Sequence, residues 1–165
     1  MILYLVRHGI AIDRADPNSP PEVERYLTRE GIKKTREVAK GVHALGARPT
    51  VFISSPYVRA MQTAQIFAEV FEFSRDKIRE SAALKPGGSP AEFVKELAHV
   101  KAREVAAFGH APNLDQLIGH LVGARGMFTA LKKAGVAALE FDSPSAAKAT
   151  LAWLLTPKVL RHLDT

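Results

Sequence analysis

Four residues of this sequence form a set that can bind and transfer a phosphoryl group. Arg7 and His8 follow a first apolar run, Arg59 follows a second, and His110 follows a later one. A guanidinium pairs its N–H donors with phosphoryl oxygens, and an imidazole is a nucleophile or a proton carrier near neutral pH. Together these side chains predict a site at which a histidine attacks phosphorus.

The charges of this set favour neutral histidines and disfavour a metal ion. Two permanent cations lower the pKa of a nearby imidazole, which keeps its lone pair free. The same cations repel a divalent metal ion, so we expect neither a metal nor another cofactor. One histidine would become phosphorylated, and water would later take the phosphate.

Each member of the set also has an ordinary explanation when it is taken alone. A histidine at a helix start, such as His110, is often a cap or a packing residue, and Arg59 alone is typical of a solvated helix cation. The prediction rests on their conjunction at the ends of three strands. Gly9 supports it, because glycine lets the backbone pass close to a bound group.

Apolar runs alternate with helix signals along the chain. The predicted strands are residues 2–6, 51–54, 77–81, 104–108, 135–141 and 149–155. The predicted helices run over about 28–45, 56–71, 90–100 and 110–122. Thr28 and Ser55 are the expected N-caps of the first two helices, residues 13–22 a surface loop, and residues 142–145 a turn.

This order predicts an α/β fold with a mostly parallel central sheet, helices on both faces and an antiparallel hairpin near one edge. Ligands of such sheets bind beyond the carboxyl ends of the strands, so the three strand ends would meet at one edge. Neighbouring residues of a strand face opposite sides. For Arg7 and His8 to contact one phosphate, the strand must end at Arg7 and His8 must lie in a turn.

Composition indicates one globular domain, residues 1–165, without disulfides, since the chain has no cysteine. There is no basic leader segment and no run of about 18 apolar residues, so we expect a cytoplasmic protein that does not enter a membrane. Lys and Arg are scattered without interleaved aromatics, which argues against nucleic-acid binding. The net charge of +6 either steers anionic partners to the surface or has no target.

The order and spacing of four motifs resemble the histidine phosphatase superfamily, which has the phosphoglycerate mutase-like fold. The four segments are Arg7-His8-Gly9, residues 27–31 (LTREG), residues 55–64 (SPYVRAMQTA) and Gly109-His110. The resemblance implies a three-layer α/β/α domain without a metal. It also implies that His8 is the nucleophile, that Arg7 and Arg59 hold the phosphate, and that His110 donates a hydrogen bond to the phosphoryl oxygens.

Two further segments are similar to the SixA-type protein phosphohistidine phosphatases. They are residues 84–88 (LKPGG) and residues 151–157 (LAWLLTP). This resemblance implies signal transduction, with a phosphorylated histidine-containing protein as the partner. Separately from the resemblance, we expect a monomer. Two alternatives stay open: a phosphatase or mutase for small phosphate esters, and a non-catalytic module that binds phosphoproteins.

The loop 84–88 carries no carboxylate, although many members of the superfamily place a general acid in this region. An alcohol leaves badly unless it is protonated, whereas imidazole is a better leaving group, so the absence favours phosphohistidine. Glu80 and Glu92 flank the loop and are candidate acids, as is Asp13.

Several other residues are candidate phosphate contacts with a plainer alternative. Gly87, Gly88 and Ser89 would give backbone hydrogen bonds to phosphate or to a partner protein, although they equally suit a simple turn. Gly9 would let the backbone pass close to the bound group. Ser55 would contact the substrate or only cap a helix. The remaining histidines are expected to be structural or exposed: His43, His99, His120 and His162.

Overall fold

The fold centres on one six-stranded sheet, seen in a computed structural model that describes residues 1–143 and 148–163. The strands are β1 (Ile2–Arg7), β2 (Val51–Ser54), β3 (Arg79–Glu80), β4 (Glu104–Gly109), β5 (Val136–Phe141) and β6 (Ala149–Leu155). Their order across the sheet is β3-β2-β4-β1-β5-β6. The β3-β2, β2-β4 and β4-β1 pairs are parallel, and the β1-β5 and β5-β6 pairs are antiparallel.

Helices cover both faces of this sheet. They are α1 (Arg29–Ala44), α2 (Val58–Val70), α3 (Pro90–Leu97), α4 (Asn113–Val122) and α5 (Pro157–Leu160). Helices α1, α2 and α5 share one apolar core with the sheet, and α3 and α4 share the other. None of the helices within the described part of the chain is long and apolar enough to cross a membrane.

Strand β1 shows why the sheet needs a layer on each side. Leu3 and Leu5 pack into the core under α3 and α4, whereas Tyr4 and Val6 pack into the core under α1 and α2. All four side chains are buried, so this strand has no solvent-facing side. The predicted α/β/α architecture, with a mostly parallel sheet and helices on both faces, is confirmed.

Several ends of helices and strands differ from those that the sequence predicted. The expected strand 77–81 is only β3, after a 3-10 segment over Arg75–Lys77. Helix α3 ends at Leu97 rather than near 100. Ser55 was wrong as an N-cap, because α2 begins at Val58 with Tyr57 as its N-cap. Of the predicted turn 142–145, Pro144 and Ser145 lie outside the described residues.

The LTREG segment starts α1 where the helix meets the chain after β1. Thr28 is the N-cap as predicted, and its Oγ1 accepts a hydrogen bond of 3.0 Å from the Gly31 backbone N–H. A Cβ at Gly31 would lie 2.1 Å from the Ile10 carbonyl oxygen. The glycine therefore permits direct contact between the first turn of α1 and the backbone that leaves β1.

We predict that Gly31→Ala destabilises the protein by about 1–3 kcal/mol, because the added methyl group overpacks against rigid backbone. Helix propensity alone would give the opposite sign, a gain of up to about 1 kcal/mol. Urea unfolding measures the difference. Gly126→Ala is the matched control, because a Cβ there meets nothing within 4 Å, and its effect should stay within about 0.5 kcal/mol. Equal effects of the two substitutions would contradict the packing account.

Candidate active site

The chain turns at the carboxyl end of β1, as two residues serving one phosphate require. The strand ends at Arg7, and the backbone N–H of His8 donates to the Gly109 carbonyl at 2.9 Å. The Gly9 N–H donates to Thr63 Oγ1 at 3.0 Å, so this amide is already bonded within the protein. A Cβ at Gly9 would lie 2.3 Å from Thr35 Oγ1. Gly9 is thus required by close packing against α1.

Arg7, His8, Arg59 and His110 line one cavity of about 590 Å³ at this edge of the sheet. The rings of His8 and His110 have centroids 5.2 Å apart. Arg59 Nε lies 3.3 Å from His8 Nε2. The structure therefore brings together all four residues that the sequence predicted as catalytic.

The imidazole of His8 is oriented as a nucleophile. Its Nδ1 lies 2.7 Å from the Gly9 carbonyl oxygen, which can only accept, so Nδ1 carries the proton and the lone pair is on Nε2. Burial lowers the pKa of His8 to about 3, against the opposing effect of the Gly9 bond, and the charges of Arg59 and Arg7 lower it further. The ring is therefore neutral at physiological pH.

The second imidazole, His110, is fixed by Ser55. Its Nε2 lies 2.8 Å from Ser55 Oγ, which also accepts from the Tyr57 backbone N–H at 3.2 Å. The hydroxyl can donate its own proton to Nε2, and in that arrangement the ring proton is on Nδ1. That nitrogen is buried and has no hydrogen-bond partner among the described residues. Burial lowers the pKa of His110 to about 3, with added effects of His8 and Arg59.

Arg59 is fully buried, at 2% exposure, and is oriented by Glu22. Its Nη1 donates to the Glu22 carbonyl at 2.8 Å and its Nη2 to Glu22 Oε1 at 2.9 Å, which leaves Nε facing His8. Hydrogen bonds from Arg25 above all, and from Arg14, lower the pKa of Glu22 to about 2. Glu22 is therefore an ionised acceptor and not a proton donor at neutral pH.

Arg7 is oriented through the loop before β5. Its Nη1 donates to the Leu131 carbonyl at 2.8 Å, and the Leu131 N–H donates to Asp115 Oδ1 at 3.0 Å. Asp115 is buried in the first turn of α4 and also accepts from Thr129 Oγ1 at 2.6 Å. Burial lowers the pKa of Arg7 and the Asp115 charge raises it.

Glu22 and Asp115 are the site residues that the sequence analysis missed. Glu22 lies at the end of the loop predicted over 13–22 and begins a 3-10 segment, Glu22–Glu24. The only feature of the sequence that could have pointed to Glu22 is the pair of nearby arginines, Arg14 and Arg25. Asp115 has the helix-start position of many exposed acids, so nothing local predicts its burial.

The other predicted site residues lie in different places. Asp13 lines the cavity, with Oδ1 accepting from the Ala15 N–H at 2.8 Å. Glu80 and Glu92 are exposed and do not line it, and Glu92 pairs with Lys95 at 3.0 Å.

Gly87 and Gly88 do not line the cavity either. The Gly88 N–H donates to the Lys85 carbonyl at 2.8 Å, as in a simple turn. Ser55 does not line the cavity either, and its hydroxyl instead forms a hydrogen bond with the His110 ring. Four histidines lie away from the cavity: His43, His99, His120 and His162. Within residues 1–143 and 148–163, no group of three or more histidine and acidic side chains is arranged to hold a metal ion.

Comparison with known proteins identifies the family. Residues 3–85 match the profile of the histidine phosphatase superfamily (branch 1). An uncharacterised protein of Picosynechococcus sp. is 34% identical over 143 residues, which cover 84% of each chain. The chain belongs to the histidine phosphatase superfamily.

Proteins that are similar to this chain differ in their described activities. The mitochondrial serine/threonine-protein phosphatase Pgam5 of Drosophila melanogaster is 29% identical over 85 residues, which are 52% of this chain and 28% of that protein. The protein histidine phosphatase SixA complexed with tungstate has a TM-score of 0.86 and 21% identity, covering 97% of this chain and 99% of that one. A mycobacterial glucosyl-3-phosphoglycerate phosphatase with inorganic phosphate has a TM-score of 0.72 and 17% identity, covering 95% and 98%. The two solved structures have the same fold as this chain.

We predict that His8 makes the empty protein less stable in acid. The unfolded chain binds a proton on this histidine near pH 6.5, whereas the folded chain binds it near pH 3, so stability falls as pH drops between these values. At pH 5 the loss from His8 is about 2 kcal/mol. His8→Asn should reduce the difference in unfolding free energy between pH 7 and pH 5 by this amount, measured in urea. An unchanged difference would contradict a buried neutral His8.

We predict that Ser55→Ala releases the tautomer of His110. The ¹⁵N shifts of the His110 ring should move from the Nδ1-protonated pattern toward a mixture, and the affinity for vanadate, an analogue of a phosphoryl group, should fall about ten-fold, the factor for a loss of about 1.4 kcal/mol. Ser54→Ala is the matched control, because the Ser54 hydroxyl is equally buried but donates to the Ser55 carbonyl. A tautomer that stays fixed in Ser55→Ala would exclude this positioning role.

Proposed function

We propose that this chain hydrolyses protein phosphohistidine through a phosphorylated His8. The observation that carries the proposal is a cavity with a nucleophile and four guanidiniums, those of Arg7, Arg14, Arg25 and Arg59, but no oriented proton donor. Asp13 is the one carboxylate among the described residues that line the cavity, and its Oδ1 bonds to the Ala15 N–H two residues on. Such a site suits a leaving group that needs little protonation from the enzyme.

In the first step, the Nε2 lone pair of His8 attacks phosphorus and the bond from phosphorus to the substrate nitrogen breaks. A phosphohistidine protonated on its other ring nitrogen leaves as neutral imidazole. Arg7 and Arg59 pair with the phosphoryl oxygens, and His110 Nδ1–H donates to the charge that develops on them. As the new bond forms, the Arg59 Nε–H stops donating to His8 Nε2 and donates to a phosphoryl oxygen instead.

In the second step, water attacks the phosphorus carried by His8. The Nε2–phosphorus bond breaks, inorganic phosphate leaves, and the lone pair returns to Nε2. The low pKa of His8 favours this return, because the freed ring stays neutral at physiological pH.

The described activity of SixA as a protein histidine phosphatase supports this substrate class. With this substrate class, we propose a role in signal transduction in the cytoplasm. The second candidate is a phosphatase for phosphate esters. It is favoured by Asp13 at the cavity and by the described activities of Pgam5 and the glucosyl-3-phosphoglycerate phosphatase.

A leaving-group series separates the two candidates. We expect kcat/KM to be highest for a phosphohistidine peptide and to fall steeply along phosphate esters as the pKa of the leaving alcohol rises, since the described site orients no acid to protonate it. Equal rates on p-nitrophenyl and alkyl phosphates would favour the ester phosphatase.

Variants of the same protein control for the mechanism. His8→Ala should abolish turnover, and Arg7→Ala or Arg59→Ala should each lower kcat by at least about 100-fold, the scale of losing one donor to a developing anion. Acid-labile phosphate should appear on wild-type protein and not on His8→Ala. Its absence from the wild type, with phosphopeptide binding retained, would instead indicate a binding module.

A further inference from the structure

A second cavity, the basic groove, adjoins the catalytic cavity. It has a volume of about 710 Å³, and its walls come from α1, from the segment before β5 and from α5. The two cavities share three lining residues, Arg7, Ile10 and Lys133. The basic groove therefore lies directly beside the catalytic cavity.

Five cationic side chains besides Arg7 line the basic groove: Lys34, Lys132, Lys133, Lys158 and Arg161. They come from three separate elements, so no single helix pattern accounts for them. Ile10, Ala134 and Pro157 give the groove an apolar part. A surface that places cationic side chains beside apolar ones suits a ligand that carries anionic groups on aliphatic chains.

Two of these charges are already paired. Lys34 Nζ lies 2.6 Å from Glu30 Oε1, and Arg161 forms an ion pair with Glu37.

The other three lysines have no such partner. Lys132, Lys133 and Lys158 are exposed, and none of them forms an ion pair with a carboxylate of residues 1–143 or 148–163. Like charges gathered without counter-charges raise the local potential and attract an anion.

We propose that the basic groove binds an acidic segment of the phosphoprotein substrate while the phosphohistidine occupies the catalytic cavity. This inference rests on the proposed function and adds the recognition element of the substrate. The groove is far larger than a single phosphate group, and its cations without an ion-pair partner are exposed lysines rather than buried arginine forks. Such point charges suit several carboxylates along an extended peptide better than one planar anion.

The basic groove contributes to substrate binding and not to the chemical step. Lys132 and Lys158 line the groove but not the catalytic cavity. Rim charges of this kind change the association rate and its salt dependence. The effect should therefore appear in KM and weaken as salt screens the charges.

Two peptides with one phosphohistidine each test the proposal. One carries Asp and Glu on both sides of the phosphohistidine, and the other carries Asn and Gln at the same positions. We expect wild-type kcat/KM to be at least about ten-fold higher for the acidic peptide at about 50 mM salt, through KM, and the preference to shrink at about 500 mM salt. Equal values for the two peptides at low salt would overturn the proposal.

Paired lysine variants locate the preference. Lys132→Ala/Lys158→Ala should bring the two peptides within about two-fold of each other, with kcat on the neutral peptide retained. Lys77→Ala/Lys101→Ala is the matched control, since both lysines are exposed and neither lines the groove, and it should keep the full preference. A preference that survives in the first variant, or disappears in the second, places recognition elsewhere.

Binding separates failure of the inference from failure of the proposed function. If wild-type protein hydrolyses neither peptide, the proposed function fails, and the dissociation constants of the unphosphorylated peptides still test the groove. Tighter binding of the acidic peptide, dependent on Lys132 and Lys158, supports the groove in that case, and equal affinities overturn it. If tripolyphosphate shows this lysine dependence and the acidic peptide does not, the groove is a small-anion site and the proposal is wrong.

Discussion

The proposed site depends on one constraint, which is that Arg7, the last residue of β1, and His8, the residue after it, must both serve one phosphate. On a regular strand Arg7 and His8 would point to opposite faces. The structure resolves this by ending the strand at Arg7 and fixing the turn from both sides. The His8 N–H donates to the Gly109 carbonyl, and the Ala134 N–H contacts the carbonyls of Arg7 and His8 at 3.1 and 3.0 Å. Strand β4 and the segment before β5 thus determine the direction of the Arg7 and His8 side chains.

Electrostatics at this turn explain the rest of the pocket. Burying two guanidiniums is costly unless hydrogen bonds and opposite charges compensate. Arg59 has the Glu22 carboxylate, whereas Arg7 has a carbonyl that Asp115 orients from behind. Both imidazoles stay neutral, because another positive charge here would have no partner. A bound phosphate therefore adds negative charge where the protein supplies little.

The sequence predicted the parts of this arrangement that local rules determine. Apolar runs located the strands, parallel order brought their ends to one edge, and the four catalytic candidates came together. The missed contacts join distant positions through tertiary packing. Ser55 illustrates how a local signal and a tertiary contact differ. The sequence Ser-Pro predicts a helix start. In the structure, however, the Ser55 hydroxyl bonds to His110, which follows the neighbouring strand β4. Glu22 and Arg59 likewise meet only once the loop after β1 folds over α2.

The segment before β5 connects recognition with catalysis. The Leu131 carbonyl binds Arg7, Lys132 and Lys133 line the basic groove, and the Ala134 N–H contacts the backbone of the β1 turn. These four consecutive residues therefore orient Arg7 and place two lysines at the basic groove, of which Lys133 also lines the catalytic cavity. A peptide bound on those lysines, as proposed, would lie beside the stretch of backbone that orients Arg7. Because Asp115 binds this stretch from the core side, the protein itself fixes the position of the stretch, and the proposed phosphate site needs no docked partner in order to form.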